Sequence, residues 1–267
     1  MTRRSTDRPH DLRERYDRDG YVIVPGVIDA DLVEEVRRHV DWLTARHPEL
    51  RPEKLQQDLV ADDPFWLRLV RDDRLLNVAE QFIGPNIALF ASHYIAKPPG
   101  DGHPVIFHQD GSYWPLEPME VITICLWADD ADPDNGCLRV VPGTHRMELH
   151  EMTRVPEVPS VLSKGLEKDL YDESKAVDFA VQAGDITVHH PHIVHGSNGN
   201  RSDRWRRGLN IRYIPTTTRI TRTPWFCPFL LRGEAVPGVN DYLPFPEYVE
   251  GRHMPFRGCE TWKGRKG

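Results

Sequence analysis

Phe107-His108-Gln109-Asp110-Gly111-Ser112-Tyr113-Trp114 is the stretch on which the reading of this chain turns. It closes an apolar run from Val105 to Asp110 that reads as a β-strand. Residues i and i+2 of a strand point to one face, so the His108 imidazole and the Asp110 carboxylate are expected side by side. A divalent metal accepts that nitrogen–oxygen pair. One more imidazole would complete the two-histidine, one-carboxylate set that leaves positions open on Fe(II). Candidates for it, His189, His190, His192 and His195, lie in a second stretch from Val188 to Ser197, which only a folded sheet could bring to the first. His-x-Asp also arises by chance, and clustered histidines are often ordinary core or surface side chains. From these residues alone both the metal and its third ligand stay open.

The chain flanking this stretch is rich in strands. Ile87 to Ala96, Val121 to Ala128, Leu138 to Val141, Ala176 to Val181, Ile186 to His190 and about Arg207 to Pro215 are apolar or β-branched runs. Turn sequences divide them, namely Pro98-Pro99-Gly100-Asp101-Gly102, Asp132-Pro133-Asp134-Asn135-Gly136 and Pro142-Gly143-Thr144. Before Ile87 the character is helical, apart from a short strand at Tyr21 to Val24. The chain up to Asp19 reads as a solvated helix, and Asp29 as the N-cap of an amphipathic helix stopped by Pro48. Phe65 to Val70 and Leu75 to Phe82 read as two more helices, the second ended by Gly84-Pro85. The expectation is a mainly β fold with a helical jacket, a double-stranded β-helix of the jelly-roll, cupin-like kind. It is expected as one domain over 1–267, with a helical part to about 86, a jelly-roll core over about 87–216 and a tail over 217–267. The polar, proline-bearing segment from Arg146 to Lys175 reads as a lid or an insertion.

Composition narrows the function classes. The chain has 267 residues, 28% charged and 39% hydrophobic, with a formal net charge of −7, which argues against a nucleic-acid partner. Twenty-three prolines favour strands and ordered loops over a helical bundle. Cys125, Cys137, Cys227 and Cys259 form no Cys-x-x-Cys pair, which predicts free thiols in a reducing cytoplasm. Neither a secretion signal behind the charged Met1 to Arg8 nor a membrane span is expected. Oligomeric state is not legible.

The last long strand has its own signal. Arg206, Gly208, Asn210 and Arg212 share one face, and Arg207, Leu209, Ile211 and Tyr213 the other. The polar face is either solvated or the interior of a barrel. Inside, an arginine could clamp a carboxylate through two parallel hydrogen bonds, as an oxygenase using 2-oxoglutarate requires.

At this point the chain resembles the phytanoyl-CoA dioxygenase family of Fe(II)/2-oxoglutarate oxygenases. The resemblance is carried by Gly84-Pro85-Asn86-Ile87, Lys97-Pro98-Pro99, His108-Gln109-Asp110, Asn135-Gly136-Cys137-Leu138, Pro142-Gly143-Thr144-His145 and His195-Gly196-Ser197, with the family's arginine eleven residues after the second histidine, at Arg206. It implies His108, Asp110 and His195 as iron ligands, Arg206 as the clamp on 2-oxoglutarate, and Ser197 as a hydroxyl donor to the same carboxylate. It also implies Gln109, Trp127, His93 and Lys54 near the co-substrate; for Trp127 the competing reading is core, and for Lys54 a solvated helix lysine. Fe(II), 2-oxoglutarate and O2 are the implied cofactor and co-substrates, with ascorbate as a stimulant. The implied reaction is hydroxylation of an unactivated C–H of a small molecule with release of succinate and CO2. Because Asp110 is present, halide transfer is not expected. A metal-dependent hydrolase of the same fold would not need Arg206, and a binding protein would be expected to lack a ligand. Tyr113, Trp114, Asn210 and Arg212 are candidate pocket residues, and the segment from Trp225 to Phe229 is a candidate cover for the mouth.

Overall fold

The computed structural model describes residues 9–56, 58–155 and 159–264. Met1 to Arg8, expected to join the first helix, and 265–267 lie outside the described residues. So do 156–158 within the expected insertion.

Four helices precede the long strands: α1 (Pro9–Asp19), α2 (Ala30–Arg46), α3 (Pro64–Val70) and α4 (Asp73–Ile83). Three have carboxylate caps that satisfy free N–H groups of the first turn. The Asp29 side chain accepts from Leu32 N at 2.9 Å, Asp63 from Trp66 N at 2.9 Å and Asp72 from Arg74 N at 3.0 Å. Gly84, at φ 79°, ends α4 in a conformation that only glycine adopts without strain.

Ten strands build two facing sheets. In chain order they are β1 (Tyr21–Val24), β2 (Ile87–Lys97), β3 (Val105–His108), β4 (Ile122–Trp127), β5 (Leu138–Val140), β6 (Val177–Asp178), β7 (Ile186–His189), β8 (His195–Ser197), β9 (Arg206–Pro215) and β10 (Phe229–Arg232). The major sheet runs β1-β7-β4-β9-β2-β10 and the minor sheet β3-β8-β5-β6, with antiparallel pairing throughout. Non-sequential neighbours with consistently antiparallel pairing give the double-stranded β-helix expected from the sequence. Its two outermost major strands, β1 and β10, come from outside residues 87–216.

Strand parity divides the chemistry. Ile122, Ile124 and Leu126 of β4, and Leu209, Ile211 and Tyr213 of β9, join the apolar core with Val36 and Val40 of α2 and with Trp66 and Leu67 of α3. Intervening residues, Cys125 and Trp127 of β4 and Arg206, Asn210 and Arg212 of β9, line a cavity between the sheets. His39 of α2 locks jacket to sheet, bonding Tyr94 Oη and Asp63 Oδ2 at 2.9 Å each. Burying this histidine requires both partners.

Several strands are shorter than expected, β3 and β6 among them. β3 stops at His108, because Asp110 opens a 3-10 turn through Tyr113. Ala176 to Val181 contributes only the two-residue β6, with Val181 in an isolated bridge to Ala131. Conversely, β8 and β10 form where no strand was expected. Among the described residues no helix is long and apolar enough to cross a membrane.

Candidate metal centre and its cavity

β3 and β8 are antiparallel neighbours, and His108 and His195 sit directly opposite each other in the register. Facing residues of a ladder hold their side chains together, and the two imidazole centroids are 4.2 Å apart. The close pairing depends on Gly196, since a Cβ there would stand 2.8 Å from Val105 O and 3.1 Å from Phe107 N.

Asp110 reaches the histidines by a different route from the one expected. It is no strand residue, but Gln109 before it is extended (φ −111°, ψ 121°) and preserves the same-face relation across one residue. Asp110 Oδ1 lies 3.4 Å from His108 Nε2, and Oδ2 lies 4.0 Å from His195 Nε2. Ligand atoms from His108, Asp110 and His195 all lie within 4.8 Å of one another, and all three residues are buried.

The protonation pattern follows from the second contact of each ring. His108 Nδ1 is 2.9 Å from Ile106 O and His195 Nδ1 is 3.0 Å from Ile193 O. A carbonyl can only accept, so each Nδ1 carries a proton, which leaves Nε2 as the nitrogen available to a metal. Burial, then the neighbouring His108, holds His195 well below the ordinary histidine range, so it stays neutral. Burial raises the Asp110 carboxyl, but the Arg212 guanidinium outweighs it and holds Asp110 well below the usual carboxylate range. Two bare imidazole nitrogens and one carboxylate, with both rings fixed from behind, are a donor set suited to a divalent cation such as Fe(II).

One end of the cavity is basic. Arg206 is buried; its Nε donates to Gly136 O and its Nη1 to Ile95 O, at 3.0 Å each, and its guanidinium lies 5.2 Å from the Trp127 ring centre. Beside it Lys97, fully buried, donates from Nζ to Ser197 Oγ at 2.7 Å and to Asn198 O. Among the described residues, every hydrogen-bond partner of these two groups is neutral. Two buried basic groups with no acidic hydrogen-bond partner are costly to charge, which suits the site to an incoming anion.

Other residues singled out by sequence fall in three groups. Trp127, Ser197 and His93 line the cavity with Arg206. His93 contacts Arg212 Nη1, and burial, then Arg212, holds its pKa well below the ordinary value. Gln109 turns away: its amide donates to Glu148 O and His192 O at 3.0 and 2.9 Å and accepts from His150 N at 3.0 Å. Pleating explains this, since Gln109 lies between two residues that face inward. Lys54 is exposed on a short 3-10 turn at the rim of an adjoining outer cavity, away from Arg206.

Of the remaining histidines, His190 and His192 face away, with ring centroids 5.0 Å apart and His192 Nδ1 on Met147 O. His189 does enter the cavity, 3.6 Å from Asp110 Oδ2, and neither ring nitrogen has a hydrogen-bond partner among the described residues. Its position at the inner end of β7 distinguishes it from its neighbours. Lys97 was legible only as part of Lys97-Pro98-Pro99. Nothing in the sequence marked it as buried.

Tyr113, Trp114, Asn210 and Arg212 each line one or both cavities, as do Val161 and Leu162 of the expected insertion. Trp225 and Phe226 line the outer cavity, whereas Cys227 and Phe229 point into the core.

The family model described as Phytanoyl-CoA dioxygenase (PhyH) matches residues 16–208. Peroxisomal phytanoyl-CoA dioxygenase of Bos taurus is 32% identical over 167 residues, 59% of this chain and 48% of that protein. The chain thus spans about half the length of that relative. L-proline trans-4-hydroxylase of Streptomyces griseoviridis is 28% identical over 260 residues, 86% of this chain and 94% of that one. Among solved structures, the apo non-heme monooxygenase ThoJ superposes with a TM-score of 0.74 at 21% identity, covering 89% of each chain.

Proposed function

The chain belongs to the phytanoyl-CoA dioxygenase family, and we propose that within it this protein is an Fe(II)- and 2-oxoglutarate-dependent oxygenase. Its reaction is hydroxylation of an unactivated C–H of a small-molecule metabolite, with release of succinate and CO2. One observation carries the reading: the paired His108 and His195 rings, each with Nδ1 tied to a carbonyl, turn bare Nε2 atoms toward Asp110 in a cavity with a basic end.

His108, Asp110 and His195 would hold the iron. Arg206, with Ser197 beside it, would hold the far carboxylate of 2-oxoglutarate, the planar fork matching the two oxygens. Iron bound there supplies coupling of O2 reduction to oxidative decarboxylation of the 2-oxo acid, and with it the power to attack a C–H bond. The chain's own residues bind, orient and exclude water. Ile106 and Ile193 carbonyls fix the ligand rings, Trp127 packs against Arg206, and the apolar Val105, Leu138 and Val161 narrow the cavity. A non-redox hydrolase has no use for a buried arginine and lysine behind its metal, which favours the oxygenase. Free thiols at Cys125, Cys137 and Cys227, all buried, support a reducing, cytoplasmic setting.

The test is anaerobic addition of Fe(II) and then 2-oxoglutarate. A visible charge-transfer band is expected, followed by succinate release when air is admitted. Tight Zn(II) binding with no response to 2-oxoglutarate would favour a hydrolase instead.

A further inference from the structure

The outer cavity, about 390 Å³, meets the inner one at the metal site, sharing His93, His108, Asp110 and Arg212 with it. A molecule entering from outside therefore reaches the proposed iron ligands through this space. Its wall is aromatic. Phe90 and Trp225 are stacked at 4.7 Å and 8°, Trp114 meets Phe90 edge-on at 5.8 Å, and Phe226 stands half exposed at the rim. Its charge is lopsided. Three cations line it, Arg212 inside and Arg222 and Lys54 exposed at the rim.

Among the described lining residues only two are carboxylates, and both are engaged. Glu53 is buried under Arg51, with Nε and Nη2 at 3.1 Å each, and also accepts from His103 N at 2.8 Å. Asp110 belongs to the metal set. Arg222 and Lys54 have no acidic partner among the described residues; Arg212 pairs with Asp110 at 3.3 Å, and its Nε is buried with no hydrogen-bond partner. This positive mouth stands on a chain of formal net charge −7, so it is a local feature and not the general character of the surface.

We infer that the substrate is an organic anion with an apolar or aromatic body: Arg222 and Lys54 receive its charged group at the rim, and Trp114, Trp225 and Phe226 flank the body that presents its carbon to the His108–Asp110 centre. The inference rests on the oxygenase reading for which carbon reacts, but not for the binding itself. The charged group is either the carboxylate of a free acid or the phosphates of a carrier thioester, since both satisfy the same cations.

The test is calorimetric binding of matched probes to the metal-free 267-residue chain. The pairs are 3-phenylpropanoate with 3-phenylpropanamide and decanoate with decanamide, with decanoyl-CoA as a separate arm. Two rim cations at surface strength predict that an anion binds about tenfold more tightly than its amide. In the double variant Arg222→Gln/Lys54→Gln that preference falls to about twofold, while amide affinity and melting temperature hold. Preference for decanoyl-CoA over decanoate assigns the anion to a carrier, and equal binding assigns it to the carboxylate. Amides binding as well as the anions, an anion preference that survives the double variant, or no saturable binding of any anion would overturn the inference. The Fe(II)–2-oxoglutarate band is measured in parallel. A band without anion preference sinks only the substrate class, and anion preference without a band sinks only the oxygenase reading.

Discussion

Lys97 Nζ lies 2.7 Å from Ser197 Oγ, placing a buried amine within reach of the hydroxyl proposed for the co-substrate carboxylate. Burial, then the neighbouring Arg206, holds Lys97 well below the ordinary lysine range. An anion bound between them raises that value again, so 2-oxoglutarate binding takes up a proton where free Lys97 is neutral. Affinity for 2-oxoglutarate should accordingly fall as pH rises through the free-state pKa of Lys97. Lys97→Met should bind roughly 30-fold more weakly at neutral pH and lose the pH dependence, as calorimetry at several pH values would read. An unchanged pH profile in Lys97→Met would remove Lys97 from the site. Without ligand the sign is the same as for any depressed lysine. The unfolded chain binds the proton more tightly, so this residue's contribution makes the fold more stable as pH rises from the folded value toward 10.5.

Arg206 and Arg207 are adjacent but opposite in role. Arg206 faces the cavity, whereas Arg207 pairs outside with Asp129 at 3.2 Å and Asp41 at 3.2 Å. Arg206→Lys keeps the charge but loses the planar fork, and should raise the half-saturating 2-oxoglutarate concentration about 30-fold. Arg207→Lys should leave it unchanged. A reversed pattern in a 2-oxoglutarate titration would mean the clamp is assigned to the wrong strand face.

His195 and His189 can be separated by metal binding. His195→Ala removes a ring whose Nδ1 is fixed by Ile193 O, and Fe(II) binding should be lost. His189 has no such backing, so His189→Ala should retain the metal. Anaerobic Fe(II) titration decides, and metal loss confined to His189→Ala would move the third ligand to β7.

Gly196 offers a test through the backbone. Gly196→Ala would bring a Cβ against Val105 O at 2.8 Å and push β8 from β3, separating His195 from His108. Overpacking of this kind costs about 1–3 kcal/mol, and metal affinity should fall with it although no ligand is altered. A variant melting and binding Fe(II) like the parent would show that the strands have room to spare.

The legible parts of the fold were those in which one physical signal acts alone. Asp29 before an amphipathic run marked α2, and alternation along β9 sorted Arg206, Asn210 and Arg212 to the interior. The His108–Asp110 spacing gave the right juxtaposition although Asp110 lies in a turn, because only Gln109 between them had to be extended. β8 left no trace, since three residues including a glycine carry no period, and its pairing with β3 is a tertiary contact. The burial of Lys97 was equally hidden. A lysine in a strand normally reads as solvated, and its neutral partners Ser197 and Asn198 lie far along the chain.

The two flanks of the major sheet have a consequence for anyone trimming this protein. β1 shields the free side of β7, and β10 shields the free side of β2. The family match ends at residue 208, inside β9, before Asn210, Arg212 and all of β10. A fragment cut to the matched span would sever the strand that bears Arg206 and bare the unpaired backbone of β2 as a template for strangers. It should form inclusion bodies, not a smaller enzyme.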